Sequence, residues 1–156
     1  MKQTFIFFIF LILNFGALAL GSWLMGASPV ENQWYIDLNK APWTPPGWVF
    51  GVAWTSIMLL FTIYITVLHP RVVIQPKFIV LFGVQWLLNI LWNPVFFHYH
   101  FLFSGMVMIV LLLVSLLLLH HQLNKQFFNW HLLLVLPYML WLCVAFSLNA
   151  YSWWAN

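Results

Sequence analysis

In the segment QWLLNILWNPVFF, Gln85, Asn89, Trp92 and Phe96 follow one another at steps of four, three and four residues, which on a helix is a single stripe. Carboxamides there donate and accept hydrogen bonds beside an indole and a phenyl ring that stack. The chemistry on offer is recognition rather than bond-making. A second segment, PYMLWLCVAFSLN, spaces Pro137, Trp141, Ala145 and Asn149 at four-residue steps. A third, GWVFGVAWT, places Gly47, Gly51 and Thr55 one turn apart with Trp54 beside them. A buried amide in an apolar setting must find a partner. The Gln85–Asn89–Trp92 stripe is therefore either the wall of a ligand cavity or a hydrogen-bonded seam between helices. Pro137 lacks an amide proton and bends a helix, either to open a cavity or to pack. The Gly-x-x-x-Gly pair admits a close helix, from within the protein or from a second copy.

Other chemistry is missing. There is no nucleophile beside a base, no glycine-rich phosphate loop and no Cys-x-x-Cys pair, so no catalytic residue is expected. His69, His120, His121 and His131 fall at one face of the membrane segments described below. They are either a metal or haem-edge site or ordinary interfacial histidines at helix ends, and His98 and His100 form a weaker pair of the same kind. The single cysteine, Cys143, excludes an intramolecular disulfide and lies in an apolar run.

The elements that must carry these residues are membrane spans. Of the 156 residues 65% are hydrophobic and only 4% charged, against about 25% charged in a soluble domain. Five apolar segments, roughly 5–25, 48–68, 78–97, 102–119 and 132–153, each approach the ~20 residues that cross a bilayer as a helix. The fold class expected is an all-α membrane protein, a single bundle of five transmembrane helices covering 1–156. The runs are continuous rather than alternating, which argues against a β-barrel. The first resembles a signal peptide in having Lys2 and an Ala17–Ala19 "ALA", but it continues through Met25 and is read as a span. No Asp, Glu, Lys or Arg falls inside any span, which removes the usual equipment of ion-coupled transport and proton relay. A net charge of +3, scattered along the chain, gives no footprint for nucleic acid.

With five spans, Lys2, Arg71, Lys77 and Lys125 share one side and Lys40 alone lies on the other. The positive-inside rule then puts the N-terminus in the cytoplasm and the C-terminus outside. The outward first connection, 27–47, contains a short amphipathic helix with Trp34, Tyr35 and Leu38 on one side, which lies on the membrane surface or folds over the bundle. After it comes KAPWTPPGWVFGVAW, whose prolines cannot form regular helix and make a stiff connector. Pro46 suits the first turn of the next helix, where its missing amide proton costs nothing. The whole suggests a lid over a site for a large, flat, apolar ligand held by stacking and few hydrogen bonds.

Taken in order, WYIDLNKAPWTPPGWVFGVAW, QWLLNILWNPVFF and PYMLWLCVAFSLN resemble, over essentially the whole chain, the translocator protein family, also called the tryptophan-rich sensory protein, TspO/MBR or peripheral-type benzodiazepine receptor family. The resemblance implies a five-helix bundle, commonly a homodimer. Its cavity would open toward the first connection and bind porphyrins, sterols and benzodiazepine-like ligands. Carried over by motif, the ligand site comprises Tyr35, Trp54, Asn89, Trp92, Trp141 and Ala145, to which the helical stripe adds Gln85. No cofactor or metal is required, and a protoporphyrin IX or haem-like porphyrin is the expected ligand. Two positions depart from the family pattern. Met108 stands where an acidic residue is often found, and no basic residue follows Tyr151, so the sterol-associated motif is not supported. The expected function is a binding or sensory membrane protein for tetrapyrroles, possible carriage included, in a bacterial cytoplasmic membrane or else an outer membrane. The alternatives are a light-dependent porphyrin-degrading protein, in which Trp54 and Trp141 trap reactive species, and a structural membrane protein without a ligand. The glycine faces Ala17/Gly21 and Gly47/Gly51 are the candidates for a dimer contact.

Overall fold

A computed structural model describes residues 2–68, 75–124, 126 and 128–156, with Lys2 described by its backbone only. The elements are α1 (Lys2–Leu24), α2 (Gln33–Asp37), α3 (Gly47–Leu68), α4 (Pro76–Asn93), α5 (Leu102–Leu123) and α6 (Leu132–Ala155). Every element except α2 is long and apolar enough to cross a membrane, and the chain is an all-α protein of five such helices. At ~1.5 Å per residue, 22 residues of α3 reach about 33 Å, the thickness of a hydrocarbon core.

The principal contacts close the spans into a ring, in the order α1, α3, α6, α5, α4 and back to α1. Few polar bonds hold the ring. Asn14 Nδ2 donates to Thr62 Oγ1 at 2.9 Å, joining α1 to α3, and Trp86 Nε1 donates to the Leu13 carbonyl at 2.8 Å, joining α4 to α1. Gln85 Nε2 donates to the Tyr138 hydroxyl at 2.9 Å, joining α4 to α6. The solid core lies toward one end of the ring. The buried residues of α3 begin only at Ile57, and Met58, Phe61, Tyr64 and Leu68 are fully enclosed with Leu116 and Leu119 of α5. The first ten residues of α3 contain no buried side chain, and there the ring is hollow.

Two helix ends differ from the sequence expectation. The fourth span continues to Leu123 rather than stopping at 119. The His120–His121 pair resembles an interface, but His120 is fully buried and bonded to Tyr64, so the helix runs another turn. α4 does not simply run through QWLLNILWNPVFF either. From Pro94 to His98 it widens into a π turn, with Tyr99 N donating to the Pro94 carbonyl at 2.9 Å. The extra residue in that turn lets Phe96 and Phe97 both face inward, 3% and 8% exposed. α6 stays helical through Pro137.

The faces suggested for dimerisation serve other purposes. Ala17 is 2% exposed, and a Cβ built on Gly21 would come within 2.6 Å of Asn93 Nδ2 and 3.3 Å of the Ile90 carbonyl, so this face packs α1 on α4 inside one protomer. A Cβ on Gly51 meets nothing within 4 Å, because Gly51 faces the hollow. Of the basic residues invoked for orientation, Arg71 and Lys125 lie outside the described residues, as does His69.

Candidate functional site

The hollow end of the ring is a cavity of about 570 Å3, within the range of small-molecule sites. Each helix of the ring contributes a wall. Leu18, Ser22 and Met25 come from α1, Gly51, Trp54 and Thr55 from α3, Asn89, Trp92 and Phe96 from α4. Ile109 and Leu112 of α5 close the floor, and Trp141, Ala145 and Asn149 come from α6.

The roof is the connection between α1 and α3, folded over the bundle rather than spread on the membrane. Asn32 caps α2 by accepting from Tyr35 N at 3.1 Å, and its Nδ2 donates to the Phe97 carbonyl at 3.0 Å. Trp34 stacks on His100 with centroids 4.0 Å apart and planes 16° from parallel. His100 itself has φ 60°, the reversal that swings the chain from the π turn into α5. Tyr35 meets Phe97 edge-on at 5.1 Å. Lys40 Nζ donates to the carbonyls of Tyr35 and Ile36, both at 2.8 Å, holding the end of α2 where the helix dipole favours a cation. Beyond it, Asn39 and Asn156 exchange hydrogen bonds (Asn39 N to Asn156 Oδ1 3.0 Å, Asn156 Nδ2 to the Asn39 carbonyl 3.3 Å), and Trp43 Nε1 donates to Ser147 Oγ at 3.2 Å. The roof is thus pinned to the start of α5 on one side and to the end of α6 on the other.

Of the residues expected at a site, Tyr35, Trp54, Asn89, Trp92, Trp141 and Ala145 all line the cavity. Gln85 does not. It lies one turn deeper, 1% exposed, with Nε2 donating to the Tyr138 hydroxyl and Oε1 without a partner among the described residues, so here the seam reading of the stripe fits. Asn89 is 4% exposed, and its carboxamide has no hydrogen-bond partner among the described residues. Trp92 Nε1 and Asn149 Oδ1, both on the wall, likewise have no hydrogen-bond partner among the described residues, so the wall is apolar with several unspent polar atoms. Trp54 and Trp141 are held by edge-on rings, Tyr138 at 5.8 Å and Phe50 at 5.5 Å. Trp92 stacks on Phe96 at 5.6 Å with planes 15° apart. Burial pushes the Tyr35 phenol above its ordinary range.

Sequence reasoning passed over several wall residues. Lys40, the one charged side chain among the described lining residues, was read only for the sign of its loop, because loops carry no periodicity that tells which way a side chain points. Asn149 stood in the α6 stripe and was not selected. Phe50 and Thr44 carry no signal beyond their neighbourhood to Trp48 and Trp43, and Pro45 is legible only as part of the stiff connector. Among the histidines, His120 Nδ1 lies 2.9 Å from the Tyr64 hydroxyl and His131 Nδ1 lies 3.0 Å from Asn129 Oδ1. Among the described residues no three His, Cys, Asp or Glu side chains gather as a metal would require.

Comparison with known proteins gives one result throughout. The profile of the TspO/MBR family matches residues 7–155. The protein CrtK of Rhodobacter capsulatus is 32% identical over 139 residues, 84% of this chain and 83% of that one. The tryptophan-rich protein TspO of Bacillus cereus is 29% identical over 153 residues, 96% of this chain and 94% of its own. The translocator protein of Bos taurus is 28% identical over 140 residues, 80% and 75% of the two chains.

Proposed function

The chain belongs to the TspO/MBR family of membrane sensory and translocator proteins, and from that premise we propose that it binds a porphyrin or similar flat tetrapyrrole in the cavity under its first connection. One observation carries the reading: two tryptophans, Trp54 and Trp141, stand on the wall of a 570 Å3 apolar cavity beside Asn89, whose amide is open. Indole faces suit a large π-system, and the unspent N–H donors suit its ring nitrogens and side-chain oxygens. Lys40 at the roof suits a carboxylate such as a porphyrin propionate, which would otherwise meet no positive charge. Binding, with or without passage of the ligand across the bilayer, needs no acid–base pair.

Two finer points belong to the same proposal. Counted along the sequence, the excess of lysine and arginine in the connections on the N-terminal side supports a roof that faces away from the cytoplasm, and the bacterial cytoplasmic membrane is the location proposed with it. A homodimer would use lipid-facing surfaces, since the Ala17/Gly21 face is occupied within the protomer.

The test is titration of the purified protein in nanodiscs with protoporphyrin IX, read by quenching of intrinsic tryptophan fluorescence. Saturable quenching that weakens in Trp141→Ala supports the site. Quenching that stays linear, or an affinity unchanged from wild type in both Trp54→Ala and Trp141→Ala, overturns it.

A further inference from the structure

Four aromatic rings run in contact from the cavity to the opposite end of the bundle. Trp54 on the cavity wall meets Tyr138 at 5.8 Å, and Tyr138 meets Phe61 edge-on at 5.6 Å. Phe61 lies parallel to Tyr64, 6.1 Å away and 13° from coplanar. Phe61, Tyr64 and Tyr138 are 0–1% exposed. The series ends on a hydrogen bond: Tyr64 OH and His120 Nδ1 are 2.9 Å apart, and Asn124 Nδ2 donates to the same phenol oxygen at 3.0 Å. Asn124 Nδ2, which can only donate, also lies 3.3 Å from His120 Nδ1, and the tautomer with its proton on Nε2 fits both neighbours, Nδ1 then accepting the phenol proton.

The cavity needs none of this. A phenylalanine would fill the volume of Tyr64 without burying a hydroxyl that must be bonded. Tryptophan and tyrosine are the side chains most readily oxidised by one electron, and tyrosine yields its electron easily only where a base can take its proton. Imidazole within hydrogen-bond reach is such a base. The two buried tyrosines differ here. Tyr138 has only the Gln85 amide at its hydroxyl, which cannot take a proton, whereas Tyr64 has His120.

We propose that Trp54 and Tyr64, bridged by the rings of Tyr138 and Phe61, form a one-electron relay that draws oxidising equivalents out of the cavity to the Tyr64–His120 pair. The proposal rests on the reading of the cavity as a porphyrin site. A photoexcited porphyrin gives one electron to dioxygen, forming superoxide and a porphyrin radical cation. The cation takes one electron from Trp54 and returns to its neutral ground state. Trp54 regains an electron from Tyr64 through the two bridging rings. Tyr64 loses its phenolic proton to His120 Nδ1 in the same step, leaving a neutral tyrosyl radical and an imidazolium. Ligand and cavity wall are thereby restored, and the oxidised residue lies where no ligand touches it.

The experiment is electron paramagnetic resonance of the protein in nanodiscs, illuminated in air with protoporphyrin IX, with ring-deuterated tyrosine to assign the signal. Wild type should give a tyrosyl radical. Tyr64→Phe should lose it at least tenfold and accumulate a tryptophan radical instead. His120→Gln keeps a hydrogen-bond acceptor but no base, and should lower the tyrosyl yield likewise at unchanged thermal stability. A tyrosyl signal of wild-type size in Tyr64→Phe overturns the relay, and one in His120→Gln overturns the role of the imidazole. The relay is also loaded without ligand, by ultraviolet photoionisation of tryptophan. If protoporphyrin IX gives no saturable fluorescence quenching, the porphyrin reading falls, and the photoionisation arm still decides the relay. Tryptophan radicals that form there without passing to Tyr64 overturn it.

Discussion

Gln85 and Asn89 stand one turn apart on the same face of α4, and the wall of the cavity passes between them: Gln85 is bonded to Tyr138 inside the core, while Asn89 opens its amide to the hollow. Substitution should separate the two roles. Gln85→Leu leaves the Tyr138 hydroxyl buried and unpaired, a cost of about 1–3 kcal/mol that Tyr138→Phe in the same protein should largely restore. Asn89→Leu should leave thermal stability near wild type and weaken porphyrin binding roughly fivefold, the worth of one hydrogen bond. Thermal unfolding and porphyrin titration of the three variants check this. A large stability loss in Asn89→Leu would mean that its amide is a seam as well.

Trp141→Ala removes a stacking partner and much apolar area and should weaken porphyrin binding tenfold or more, with Trp141→Phe intermediate. Trp153, half-exposed on the outer surface of α6 against Phe103, is the control. Equal losses in Trp141→Ala and Trp153→Phe would place the ligand at the membrane interface instead.

The roof should act on ligand release. Asn156→Ala with Trp34→Ala undoes one anchor at the end of α6 and one at the start of α5. Pro45→Ala with Pro46→Ala relaxes the connector between them. Both pairs should raise the dissociation rate several-fold and change the association rate less. Stopped-flow fluorescence measures both, and unchanged kinetics in both double variants would show that ligand passes by another route.

Lys40→Gln should lower affinity for protoporphyrin IX by about two- to fivefold, the worth of a partly exposed ion pair, and leave the porphyrin dimethyl ester unaffected. Comparing the two ligands in isothermal titration decides the matter. An equal loss for both would mean that Lys40 acts only by holding the Tyr35 and Ile36 carbonyls.

Gly21 and Gly51 should respond oppositely to alanine. At Gly51 the added methyl enters empty space and gains helix propensity, up to about 1 kcal/mol. At Gly21 it meets the Asn93 side chain and the Ile90 carbonyl, and overpacking of this kind costs about 1–3 kcal/mol. Gly51→Leu should keep the fold and weaken binding by filling the cavity. Thermal stability in a fixed detergent, with porphyrin titration of Gly51→Leu, checks all three.

Much of this architecture is legible along the chain. Hydropathy alone sets five spans, because a helix that crosses lipid must be apolar for about 20 residues whatever its neighbours are. The three-residue step from Asn89 to Trp92 and the four-residue step from Trp141 to Ala145 show that these side chains share the inner face of their helices, since direction about a helix axis follows from spacing. Depth does not follow from it. Gln85 and Asn89 share a stripe, yet only the height at which Tyr138 projects from α6 decides that one is core and the other wall. Gly21 and Gly51 both belong to small-residue faces, yet one abuts α4 and the other abuts nothing. His120 reads as interfacial until Tyr64 and Asn124 are seen to enclose it. The π turn at Pro94 and the contacts of Lys40 depend on backbone and loop geometry that no periodicity encodes. Spacing along a chain prescribes which way a side chain points; only the packing of the other helices determines where along that direction the protein is solid and where it is empty.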